Sequence, residues 1–191
     1  MKHDGQKGRI RVVGMVILLL LVAVSIGFAW TMSRMSASDS NALSYSLVDA
    51  SAELLMEQEA AWEAGFWHDA YNMMLRKLGH FIEYLLIGIF ASLFFLTCFE
   101  RSLQRSLEKA PWRPFGIRRA LFSILAVLLS GFLCFGASWL DEFYWQRVSQ
   151  RHPRWFDVGV DLTGSLLGIL ACLMVFSIGR WAGSGSVGRK S

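Results

Sequence analysis

The sequence predicts an all-α polytopic membrane protein of four transmembrane helices, with an external amphipathic helix between the first and the second. Three observations carry this. The 191 residues are 54% hydrophobic with a mean hydropathy of +0.40, too apolar for a soluble globular domain. Four segments, 12–30, 78–99, 120–140 and 157–178, are apolar and nearly charge-free in their cores. Each matches the ~20 helical residues that cross a hydrocarbon core of about 30 Å. The third observation is a bias in where lysine and arginine fall.

The N-terminal tail holds Lys2, Lys7, Arg9 and Arg11, and the loop between the second and third spans holds Arg101, Arg105, Lys109, Arg113, Arg118 and Arg119. With Arg180, Arg189 and Lys190 in the C-terminal tail, thirteen of the 19 basic residues fall on one side. Only Arg34, Arg76, Lys77, Arg147, Arg151 and Arg154 fall on the other. The positive-inside rule then predicts a multi-pass protein with both termini cytoplasmic. The same distribution accounts for the pI of about 9.2 as a topology signal, so a nucleic-acid partner is excluded and anionic lipid is the modest alternative.

The chain divides into 1–30, a cytoplasmic tail and first anchor; 31–77, an external segment; 78–178, a three-span core; and 179–191, a cytoplasmic tail. The first span exceeds the apolar length of a signal peptide and lacks a small-x-small cleavage site, so it reads as an uncleaved anchor. Residues 31–46 are serine-rich and read as an irregular linker. From 47 to about 65, Asp49, Glu53 and Glu57 form an acidic stripe, with Leu47, Leu54, Leu55 and Trp62 roughly opposite. That pattern predicts a helix across the outer mouth of the bundle, or a solvated connector with no further role. Trp30, Trp67, Trp139, Tyr144, Trp145 and Trp155 fall at the outer span ends and Trp112 and Trp181 near the inner ends, as aromatic belts require. Cys98, Cys134 and Cys172, one per span without metal-ligand spacing, read as inert.

Against this apolar background the polar residues stand out. A charged side chain inside a membrane costs about 2.5–3.5 kcal/mol on insertion scales, so it needs a reason to be there. His80, Glu83 and Tyr84 share one face of the second span, with Lys77 one turn earlier, placed to offset Glu83 or to snorkel. Asp141 and Glu142 end the third span; Gln146 lies four residues from Glu142, and Trp145 four from Asp141. The fourth span opens with Asp157 and Asp161 at i, i+4 and continues to Gly164 and Gly168, whose spacing permits close approach of another helix. Arg151 could pair with the carboxylates or meet a phosphate bidentately. Up-down topology brings all of these to one side of the membrane.

Carboxylates with one histidine can hold a divalent ion. The chain has no His-Glu-x-x-His motif and no second intramembrane histidine, so no metal ligands and no cofactor are predicted. No phosphate loop, nucleophile elbow or Cys-His pair stands out.

The run Lys77-Leu-Gly-His80-Phe-Ile-Glu83-Tyr84, then Asp141-Glu142 with Gln146 and Arg151, then Asp157-(x3)-Asp161-(x2)-Gly164-(x3)-Gly168 resembles the VanZ-like family of bacterial membrane proteins over roughly 77–178. The resemblance implies a four-helix protein of the bacterial cell membrane, associated with resistance to the lipoglycopeptide teicoplanin, and supplies no enzymatic reaction. His80, Glu83 and Tyr84 match its first motif, Asp141, Glu142 and Arg151 its second, and Asp157, Asp161 and Gly164 its third. Two departures are visible: the family's glutamine four after the first aspartate is Trp145 here, with Gln146 one later, and its Pro-Gly before the arginine is Ser149-Gln150.

Three functional readings follow. The first is an envelope protein whose outer-leaflet polar cavity engages a lipid-linked or amphiphilic molecule; teicoplanin differs from vancomycin chiefly by an acyl chain, which apolar walls would detect. The second is an enzyme acting on a lipid-linked envelope precursor, with Glu83 or Asp141 as general base, His80 as acid or hydrogen-bond donor and Arg151 on phosphate. The third is structural, the polar residues locking the bundle or joining it to a protein partner the sequence does not name. Ligand-binding candidates are thus His80, Glu83, Tyr84, Asp141, Glu142, Gln146, Arg151, Asp157 and Asp161, with membrane lipids as the surrounding partner.

Overall fold

The computed structural model describes residues 2–35, 39, 42, 44–47, 65–109, 115–148 and 152–185. Four long helices dominate: α1 (Lys2–Ser33), α2 (Gly65–Lys109), α3 (Phe115–Leu140) and, after a π-helical turn (Asp141–Trp145) and the short α4 (Gln146–Val148), α5 (Trp155–Gly185). All four contain a stretch long and apolar enough to cross a membrane: Arg9–Ser33, Asp69–Glu100, Ile117–Val148 and Trp155–Ile178. The protein is therefore a polytopic helical membrane protein of four spans.

Two boundaries differ from expectation. Helix α2 starts at Gly65, so the last thirteen residues of the expected external segment belong to the second helix. The 31–46 stretch is not irregular throughout, because Ser44–Leu47 are helical and the Tyr45 hydroxyl donates to Asp69 Oδ1 at 2.7 Å. For α2, backbone hydrogen bonding carries the helix beyond the apolar run that sequence hydropathy detects. The expected acidic stripe at Asp49, Glu53 and Glu57 lies outside the described residues.

Glycine sets the closest helix contact. The most extensive interface joins α2 and α5, which run parallel. A methyl group at Gly164 would strike the Phe81 carbonyl, one at Gly168 the Leu85 carbonyl, and one at Gly88 the Ser165 carbonyl. Backbones thus interlock reciprocally, each glycine admitting the other helix. In lipid, where apolar burial gives helices little reason to associate, such close dispersion contact is the main attraction.

The interior forms two layers. One is Ala29, Tyr84, Ile87, Cys134 and Ala137, with Ile26 against it. The other, toward the far end, is Leu96, Ala126 and Cys172, packed by Phe95, Phe99 and Phe176 among others. Apolar residues such as Phe132, Met174 and Val175 face outward, as a lipid-solvated bundle demands. All three cysteines are free, two of them buried.

Candidate functional site: a buried carboxylate cluster at one end of the bundle

The C-terminal end of α1, the N-terminal half of α2, the end of α3 and the start of α5 meet at one end of the bundle. Trp30 Nε1 donates to the Ala137 carbonyl at 3.1 Å, fixing α1 against α3. The Trp30 ring lies 5.9 Å from that of Trp145, and the Arg34 guanidinium sits 4.3 Å over Trp145. These two tryptophans serve packing, whereas Trp139 and Trp155 are exposed in the manner of a belt. Phe143 joins them, 5.9 Å from Trp139 and 4.6 Å from Trp155.

Beneath this aromatic cover, Asp141, Glu142 and Asp161 are each only 1% exposed and Tyr84 is fully buried. His80, Glu83 and Asp157 are half-buried and Gln146 is buried. The expected convergence is therefore present for His80, Glu83, Tyr84, Asp141, Glu142, Gln146, Asp157 and Asp161. Arg151 lies outside the described residues.

The π turn decides how the end of α3 faces inward. The Gln146 N–H bonds to the Asp141 carbonyl, five residues back, so one extra residue is accommodated in the turn. Such single-turn insertions recur at functional sites. Here the wider turn lets the neighbours Asp141 and Glu142 both point into the bundle. Gln146, four residues beyond Glu142, donates its side-chain N–H to Glu142 Oε2. The other oxygen of Glu142 accepts the backbone N–H of Arg154 at 2.5 Å.

Asp161 is held from two sides. The Ser138 hydroxyl donates to Oδ2 at 2.7 Å, and His80 Nδ1 stands 3.6 Å from Oδ1. Of the two roles open to Lys77, offsetting Glu83 or snorkelling, the first is not seen: Lys77 pairs with Asp157, and its ammonium lies 5.3 Å from the centre of the Phe156 ring. The physical reason is the parallel docking of α2 on α5, which places Lys77 beside the first turn of α5. Asp141 stands apart: neither carboxylate oxygen has a hydrogen-bond partner of normal geometry. The hydroxyls of Ser33 and Tyr84 and the carboxylates of Glu83 and Glu142 are its polar surroundings.

Although the sequence predicted no metal ligands, His80, Asp141 and Asp161 bring one ligand atom each to within 4.8 Å of one another. Ser33, Ser138 and the Arg154 backbone were missed from sequence. Ser138, three residues before Asp141, carried a weak signal as a hydroxyl near a span end; Ser33 carried none. Comparison with protein-family models, with curated proteins and with solved structures returned no match.

Proposed function

We propose that the chain is a VanZ-like protein of the bacterial cell membrane whose buried polar cluster engages a lipid-linked or amphiphilic molecule, contributing to lipoglycopeptide resistance. The observation that carries the reading is the gathering of Asp141, Glu142 and Asp161, from two different helices, to near-complete burial at one end of the bundle. Intramembrane carboxylates are costly, and in a bundle they mark sites of binding or transport more often than packing. The lysine and arginine asymmetry puts both termini in the cytoplasm and this end in the outer leaflet, where lipid-linked wall precursors and lipoglycopeptides meet the membrane.

The test is growth inhibition of a susceptible Gram-positive host by teicoplanin and by vancomycin. Cells expressing the parent are compared with cells expressing Asp141→Asn or Glu83→Gln at matched membrane levels, and with cells lacking the protein. Selective protection from teicoplanin that the variants lose is the expected result. No protection by a well-expressed parent would withdraw the resistance reading.

A second reading is an enzyme acting on a lipid-linked precursor. It is favoured by His80 lying against Asp161 with Asp141 opposite, the arrangement of an oriented imidazole beside a second acid–base group. Accumulation of an altered lipid precursor in expressing cells, absent with Glu83→Gln, would support it over simple binding.

A further inference from the structure

Four carboxylates, those of Glu83, Asp141, Glu142 and Asp161, act electrostatically on one another at this end of the bundle. The cations facing them are few. Lys77 is engaged by Asp157, and Arg154 reaches Glu142 through its backbone N–H. Lys77 also acts electrostatically on Glu142 and Asp161, and the imidazole of His80 stands against Asp161. Taking several negative charges out of water costs several kcal/mol per ion, so a bound cation would stabilise the ionised form of the cluster.

The geometry shows where that charge belongs. Asp161 has Oδ2 committed to Ser138 and turns Oδ1 toward His80. Asp141, 1% exposed, has only the hydroxyls of Ser33 and Tyr84 beside its two oxygens, neither in normal hydrogen-bond geometry, and presents a ligand oxygen to the same space. The 3.6 Å from His80 Nδ1 to Asp161 Oδ1 is close to the roughly 3.3 Å edge of a tetrahedron with metal–ligand bonds of about 2.0 Å. A hydroxyl donating to the non-ligating oxygen of a metal-bound carboxylate is the usual outer support of such a site. Ser138 occupies that position for Asp161.

We infer that His80, Asp141 and Asp161 bind one divalent transition-metal ion within the membrane end of the bundle. One imidazole and two carboxylates suit zinc or manganese, and the nitrogen ligand disfavours calcium. Three protein ligands leave coordination positions open for water or for an anionic oxygen of a bound molecule. The inference stands on this donor set alone and does not require the amphiphile reading.

The test uses the full chain in detergent micelles, stripped with chelator and free of added amphiphile. Zinc titrated calorimetrically should bind with one equivalent per chain. Asp141→Asn and Asp161→Asn should weaken binding by well over tenfold, and Ser138→Ala by about tenfold, as for other outer-shell changes. Thr163→Val, which removes only a hydroxyl bonded to the Gly159 carbonyl, should leave it unchanged. Where a ligand variant fails to fold, the parent decides: bound manganese should show magnetic coupling to a single imidazole nitrogen. No stoichiometric binding by the folded parent, coupling to no nitrogen, or undiminished binding in folded ligand variants would each overturn the site. Because no amphiphile enters the assay, such a failure would leave the proposed cellular function to be judged by its own experiment.

Discussion

The Ser138 hydroxyl donates to Asp161 Oδ2 at 2.7 Å, both groups being buried and 23 residues apart in sequence. This one bond ties the end of α3 to the start of α5 and fixes which Asp161 oxygen faces His80. Ser138→Ala should lower stability by about 1–2 kcal/mol, between the worth of a charge-assisted bond in water and of interhelical bonds in membranes. Thermal unfolding in detergent would measure it. A double-mutant cycle with Asp161→Asn should show a smaller loss, since the bond is then no longer to a charge.

Neutralising a buried carboxylate that faces those of Glu83 and Glu142 removes a desolvation cost and their repulsion. Asp141→Asn should therefore raise the unfolding midpoint of the metal-free protein while abolishing teicoplanin protection. Reduced amounts of folded protein would instead show that Asp141 locks the bundle, and would remove the basis of both site readings.

The glycines divide sharply by surroundings. Gly164→Val should cost at least the ~1–3 kcal/mol of ordinary overpacking, because the new side chain meets the Phe81 backbone, which cannot move aside as a side chain can. Gly136→Ala, whose Cβ would meet nothing within 4 Å, should be nearly neutral. Unfolding midpoints of the two variants check the contrast.

Lys77 and Asp157 form an ion pair with side-chain exposures of 28% and 17%. Lys77→Gln should destabilise by about 1–3 kcal/mol, less than the 3–5 kcal/mol of a fully buried pair. Adding Asp157→Asn should recover part of that loss, which thermal unfolding of the single and double variants would reveal.

The proposed orientation makes a direct prediction in intact cells. A cysteine replacing Asp39 should react with a membrane-impermeant maleimide, and one replacing Ser102 should not react until the cells are opened. The reverse pattern would turn the protein over and move the polar cluster to the cytoplasmic leaflet.

The number of spans and the meeting of the polar residues at one end were legible in the sequence, because both depend on properties that accumulate along the chain. Twenty apolar residues must be helical in lipid to satisfy their own backbone, and an up-down path returns alternate helix ends to the same side. The glycine spacing likewise named the face of α5 that would be approached closely.

Helix rotation and crossing were not legible, and they decide which polar groups touch. The parallel interlock of Gly164 and Gly168 with α2 gave Lys77 to Asp157. The π turn turned both Asp141 and Glu142 inward, whereas neighbours on a regular helix point about 100° apart. Ser33 and Ser138 joined the cluster only through contacts between helices. By itself the sequence determined a four-span bundle with charge at one end. The tertiary structure alone decided that His80, Asp141 and Asp161 share a space small enough for one ion, because angstrom-scale proximity is set by backbone contacts that periodicity does not encode.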